Sequence, residues 1–339
     1  MSGYADGPRF GRRARRRRSG PLRAVGLVAV VILALILGLQ LLGRLGPGPD
    51  APEVVAGAAV TSAATSKPAQ STPTVGPPPT VGAPSATPRS RPRTGSPDRT
   101  LAKNSLYAVD LGGTQVSCGI TVRPAKPPLR NAELAPYLRS LVKCLVKVHR
   151  KPLAARGFTV TEPKIKVYRS TIDAPCGRFG QRGAPAYYCS VNQTIYWPAT
   201  RDDGREAYTF ARLGYVALLA HEFGHHLQAV TGMVNEYALR YAKAENRSTR
   251  YVLSRRLELQ AQCFEGVFLG TVAGSIELSA TDRDELRAWH GFTGDEDPPK
   301  SRKPDHGTSA AQMRWLVRGL DSQDFGRCRT WTAPRSQVR

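Results

Sequence analysis

Apolar positions along the chain change character three times. From Ala24 to Gly43 they are nearly unbroken (AVGLVAVVILALILGLQLLG), with Gln40 the one strongly polar residue among 20. As a helix this run is about 30 Å long, the thickness of a bilayer core. Residues 44–100 have no periodicity and are rich in Pro, Ser, Thr, Ala and Gly, with a short PTVG repeat. Such a segment cannot bury enough apolar surface to offset chain entropy, which predicts a mobile linker. From 101 onward the pattern becomes periodic. Over Asn131–Arg150, Leu134, Tyr137, Leu138, Leu141, Val142, Leu145 and Val148 recur at helical spacing, with Asn131 as the expected N-cap. FTVTE and KIKVYRS alternate as strands do, and AYYCS and TIYWP flank a short turn as a hairpin would. Two long helical patterns follow at about 206–230 and 251–273, and a last one at 308–320. Strands grouped ahead of helices predict an α+β domain over 101–332, with 333–339 a short tail.

Charge refines the first segment. The formal net charge is +23, and eight arginines crowd into residues 9–23, ahead of the apolar run. Beside a membrane segment they keep residues 1–23 in the cytoplasm and pair with anionic lipid. LLGRLGPG is a poor signal-peptidase site and the run is long for a signal peptide, so an uncleaved anchor is expected at 24–43. The remaining positive charge lacks the aromatic interleaving of a single-strand-binding surface, so no nucleic-acid partner is expected. All six cysteines fall after residue 100. An even set outside the cytoplasm predicts disulfides. Cys176–Cys189 across a Gly-rich loop comes first, then Cys118–Cys144 and Cys263–Cys328.

The chemistry concentrates at His221-Glu222-Phe223-Gly224-His225. On a helix, residues four apart share a face, so both imidazoles can reach one ion, and Glu222 is placed to take a proton from water. Zinc in a catalytic site needs a third protein ligand and an open position. Glu258, flanked by Leu257 and Leu259 in RRLELQAQCFEGVF, is the expected third ligand, because an unpartnered carboxylate in a buried helix is costly. Glu265 shares its face and is the fallback. His226 points off that face and is expected to pack rather than bind metal.

AHEFGHHLQ, LELQAQCFEGVF and DHGTSAAQMRWLVRGLDSQDFGRC, in that order, resemble the bacterial neutral zinc metallopeptidase family, as does CGRFGQRGAPAYYCSVNQTIYW upstream. The family pattern is similar to AHExGHHxQ, LELQADCxAGxW and HGTSAxRxRWxxxGxxxGD…C. The resemblance implies a zincin-like fold with an antiparallel sheet beside the active-site helix. It also implies Zn²⁺ held by His221, His225 and Glu258, Glu222 as catalytic base, and a peptide or protein substrate. One departure stands out: Gln262 occupies the aspartate position of LELQAD. That carboxylate is expected to orient a zinc histidine, so Gln262→Asp is expected to raise zinc affinity or rate. His306, in DHGTS, is a candidate oxyanion donor, with a purely structural role in the turn as the alternative. The expectation for the whole chain is a membrane-anchored zinc peptidase working outside the cytoplasm. The alternative is a weak or inactive zinc-binding scaffold of the cell envelope.

Overall fold

The computed structural model describes residues 96–124, 128–180, 186–200, 211–291, 293–296 and 303–339. The expected basic tail, membrane helix and nearly all of the linker lie outside these residues. Among the described residues no helix is long and apolar enough to cross a membrane.

In chain order the elements are α1 (Asn131–Ala154), β1 (Lys164–Tyr168), β2 (Ile172–Ala174), β3 (Gly177–Phe179), β4 (Tyr187–Cys189), β5 (Thr194–Pro198), α2 (Gly214–Val230), α3 (Met233–Lys243), α4 (Arg247–Thr271), α5 (Ala280–Gly291) and α6 (Ser309–Ser322). Helix α2 is buried around most of its circumference, as its continuous apolar first half demands. Helix α4 packs against α2 on one side and α6 on the other. It begins at Asn246, whose side chain accepts from Thr249 N at 2.9 Å. Thr308 caps α6 in the same way, accepting from Ala311 N at 3.2 Å.

The main sheet has the order β1-β5-β4, with β5 central and wholly buried. β4 runs antiparallel to β5, as the hairpin pattern predicts, but β1 runs parallel to it. The sheet is therefore mixed rather than antiparallel. β2 and β3 form a separate hairpin around Cys176. FTVTE is not a strand: Phe158 and Val160 are buried, yet the segment joins no ladder. Asn131 is not the N-cap of α1 either. Arg130 holds that place, with its N–H donating to Glu133, while Asn131 Oδ1 accepts from Thr200 N at 2.8 Å and ties the helix to the end of β5. Helices α3 and α5 are additional to those expected. Helix α5 docks through Asp282, whose two oxygens receive Arg212 Nε at 2.6 Å and an Arg212 terminal nitrogen at 2.8 Å. The three disulfides are Cys118–Cys144, Cys176–Cys189 and Cys263–Cys328, as expected.

Inside the core, His149 of α1 lies among Phe223, Phe268 and Phe325 with ring centroids 5.4–6.1 Å away. Its Nδ1–H donates to Leu145 O at 2.7 Å, and Nε2 has no partner among the described residues. Burial pushes its pKa from 6.5 down to about 4. Below the ordinary value the unfolded chain takes up a proton that the folded chain refuses. The His149 contribution is thus complete above about pH 6.5 and falls by roughly 3 kcal/mol as pH drops toward 4. His149→Phe should flatten the urea midpoint between pH 4 and 6.5, by up to about 1.4 kcal/mol per pH unit. An unchanged slope would assign the acid loss to other groups.

Candidate metal centre

Two helix faces build the site. His221 and His225 lie one turn apart on the face that α2 turns toward α4, their rings 5.0 Å apart and nearly perpendicular. Gly224 stands between them because the two backbones nearly touch there: a Cβ at 224 would lie 3.1 Å from the Ala261 Cα and carbonyl oxygen. This close approach brings Glu258 of α4 into reach. Its Oε2 lies 3.3 Å from His221 Nε2 and 3.2 Å from His225 Nε2. The three ligand atoms all fall within 4.8 Å of one another. For metal–ligand bonds of about 2.0 Å, the edge of a tetrahedron is about 3.3 Å, so two imidazoles and a carboxylate at these separations fit zinc. The same groups interact strongly, and zinc binding at this site must displace a proton from His225. Burial opposes ionisation of Glu258, but His225 and His306 beside it hold its carboxyl well below the usual range. Burial likewise opposes charge on His225, yet Glu258 carries it up to about 9.

Glu222 is 5% exposed and lies close to both His225 and His221 and to the Tyr188 backbone of β4. Burial raises its pKa, against the nearby His225 and His221 and a hydrogen bond from the Tyr188 backbone amide. A buried carboxyl beside a metal-ligand pair, with its pKa raised, has the properties of a general base. His226 is not a ligand. Its Nδ1 accepts from the Tyr188 hydroxyl and its Nε2–H donates to Thr161 O, each at 2.9 Å, which fastens α2 to β4 and to the extended segment ahead of β1.

His306 joins the cluster from the loop before α6, with Nε2 3.8 Å from Glu258 Oε2. Asp305 Oδ1 lies 2.6 Å from its Nδ1, an arrangement that aims Nε2 at the site. The loop is fixed by Asp295, which accepts the amides of His306 and Gly307 at 3.2 and 2.7 Å. Gly307 itself has φ +82 and would press a Cβ against Leu259, so glycine suits both its backbone and its surroundings.

Two supporting glutamines were not expected from the sequence. Gln228 Oε1 accepts from His225 Nδ1 at 2.9 Å, which leaves the Nε2 lone pair for a metal. The Gln228 amide nitrogen donates to Leu257 O at 2.8 Å and to Gln260 Oε1 at 3.1 Å. Gln260 in turn donates to the Tyr107 hydroxyl and to Cys328 O, next to the Cys263–Cys328 bridge. Their sequence signals were polarity at helix positions otherwise occupied by core residues and their places in the AHExGHHxQ and LELQAD patterns. Gln262 does not meet a zinc histidine as expected; it contacts Glu265 and His290 instead. Glu265, the fallback ligand, lies behind the His221 ring on its Nδ1 side.

Residues 111–331 match the family model described as "Putative neutral zinc metallopeptidase". The chain belongs to this family. Among its relatives is YpfJ of Escherichia coli K12, 31% identical over 245 residues that cover 66% of this chain and 82% of the relative. Another is Rv2575 of Mycobacterium tuberculosis H37Rv, 26% identical over 206 residues, 54% of this chain and 66% of the relative. Both relatives are described as uncharacterized proteins. No solved structure matches the chain. Membership of the family implies zinc, and the donor set and spacing above fit it. Glu258→Ala should therefore lower bound zinc from one equivalent to well under half after dialysis, as measured by atomic absorption. Unchanged zinc content would remove Glu258 from the ligand set.

Proposed function

We propose that the protein is a membrane-anchored zinc metalloendopeptidase that cuts peptide bonds outside the cytoplasm. The observation that carries this reading is the convergence of His221, His225 and Glu258, with buried Glu222 beside them. Those three residues would hold the ion; when bound, zinc supplies Lewis-acid polarisation of the scissile carbonyl and acidification of the attacking water. The protein's own groups do the rest. Glu222 accepts the proton of the attacking water and returns it to the leaving amine. His306, held at Nδ1 by Asp305, presents Nε2 as a donor to the oxyanion that develops on the substrate. Gln228 keeps His225 in the tautomer that can bind metal.

Location rests on the sequence: the apolar run 24–43 as anchor, residues 1–23 inside against anionic lipid, and the folded domain outside. Three disulfides in that domain support an oxidising compartment. Gln262 in place of the family aspartate favours a second reading, a zinc-binding envelope scaffold with little turnover. The full chain, loaded with zinc and offered an unfolded protein, separates the two. Cleavage that stops on chelation and returns with zinc supports the peptidase; stoichiometric zinc without cleavage of a broad peptide panel supports the scaffold. Resistance of the domain to protease added outside intact cells would count against the proposed topology.

A further inference from the structure

We infer that Glu265 is a positioning residue for the metal centre, orienting His221 through Nδ1, and that Gln262 serves to hold Glu265 rather than to replace a carboxylate. The inference rests on the zinc reading of the site. Glu265 is completely buried on α4, two turns beyond Glu258. Its Oε2 lies 3.8 Å from His221 Nδ1, within ion-pairing range though beyond a hydrogen bond. Its Oε1 has no hydrogen-bond partner among the described residues and stands 3.8 Å from His290 Nε2. A buried carboxyl group with an unused oxygen is costly unless something nearby repays its desolvation. An imidazole that binds a cation through Nε2 and turns Nδ1–H toward that carboxyl offsets the desolvation of the group as a whole. Oε2, already held by Gln262, faces His221 Nδ1, and a turn of the carboxyl would bring either oxygen to it.

Gln262 is committed as a donor. Its amide nitrogen lies 2.6 Å from Glu265 Oε2 and 3.1 Å from His290 Nε2, so each of its two hydrogens has an acceptor. The relay continues: His290 Nδ1–H donates to Gln312 Oε1 at 3.3 Å, and the Gln312 amide donates to Thr293 O at 3.0 Å and Gly307 O at 3.1 Å. Gly307 follows His306, so one buried chain of polar groups runs from the back of His221 to the loop that carries the oxyanion candidate. The family pattern LELQADCxAGxW has aspartate and alanine where this chain has Gln262 and Glu265. The carboxyl group has moved three residues along α4, which keeps it on nearly the same face.

This reverses the sign expected for Gln262→Asp. An aspartate there cannot donate to Glu265 or to His290, and it sets a second carboxyl group against the first without water between them.

The test uses the full chain and measures the zinc dissociation constant by chelator competition, with the melting temperature of the zinc-free protein as a second readout. Glu265→Gln, which keeps the packing, should weaken zinc binding about 10–100-fold. Gln262→Asp should weaken it as well, and the double variant Gln262→Asp/Glu265→Ala should bind more tightly than Gln262→Asp alone. Near-UV circular dichroism verifies that each variant is folded. The inference is overturned if Glu265→Gln binds zinc within twofold of wild type, if Gln262→Asp binds it more tightly, or if the double variant gains nothing. A wild-type chain that takes up no zinc would sink the metal reading itself, and this inference with it.

Discussion

Full-length protein carrying Glu222→Gln should keep one zinc per chain and lose peptide cleavage by a factor of roughly 10²–10⁴. The substitution is nearly isosteric, and the amide oxygen can still accept from the Tyr188 backbone, so helix α2 and its contact with β4 should be undisturbed. What disappears is the proton acceptor. Because a carboxylate must be ionised to accept the proton, the wild-type kcat/KM should rise with pH along an acid limb that Glu222→Gln removes. A Glu222→Gln protein that binds zinc and cleaves within tenfold of wild type would assign the base to another group. One that loses zinc as well would mean that Glu222 shapes the ligand set.

Much of this candidate centre could be read from the sequence because its candidate ligands obey helical arithmetic. His221 and His225 are one turn apart, and Glu258 sits in a helix whose neighbours must be buried. The cysteine pairs were also readable in part: the Gly-rich loop between Cys176 and Cys189 pointed to a local bridge, and the other two pairs followed once it was drawn. The supports were not. Gln228, Gln260 and Asp305 are ordinary polar residues until tertiary packing sets His225, Tyr107 and His306 beside them. FTVTE illustrates a related limit: its alternation correctly reports that Phe158 and Val160 go inward, but alternation reports burial and not pairing. Thr161 O, which a strand would offer to a ladder, instead accepts from His226. Helix α5 was missed for the opposite reason. Its sequence ATDRDELRAWHG is rich in charge and poor in apolar residues, and it buries Asp282 by pairing it with Arg212, a partner 70 residues away. Helix α3 offers only Met233, Val234, Tyr237 and Tyr241 to the interior, a stripe too narrow to stand out.

Gly319→Ala should be among the most destabilising single-methyl changes in the domain. The α4–α6 contact is backbone against backbone. A Cβ at Gly319 would overlap the Cys263 carbonyl oxygen and lie 2.9 Å from Val267 N, while one at Gly266 would overlap the Leu316 carbonyl oxygen and lie 2.7 Å from Leu320 N. Neither obstacle is a flexible side-chain end, so the helices must separate. Cys263 resists, because its disulfide to Cys328 ties α4 to the segment after α6. Overpacking of this kind costs about 3 kcal/mol, which for a domain of this size lowers Tm by about 6–12 °C. Gly291→Ala is the control: nothing lies within 4 Å of its Cβ position, so it should be neutral or stabilise by up to about 1 kcal/mol. Urea unfolding of both variants measures the contrast, and Gly319→Ala within about 0.5 kcal/mol of wild type would mean the two helices slide apart easily. The same shift should reach the metal. Helix α4 carries Glu258 on the face that meets α2, where Gly224 and Ala261 already stand at contact distance, so displacing α4 moves one candidate ligand relative to two that stay on α2. Zinc affinity in Gly319→Ala should therefore fall even at temperatures where the domain remains folded.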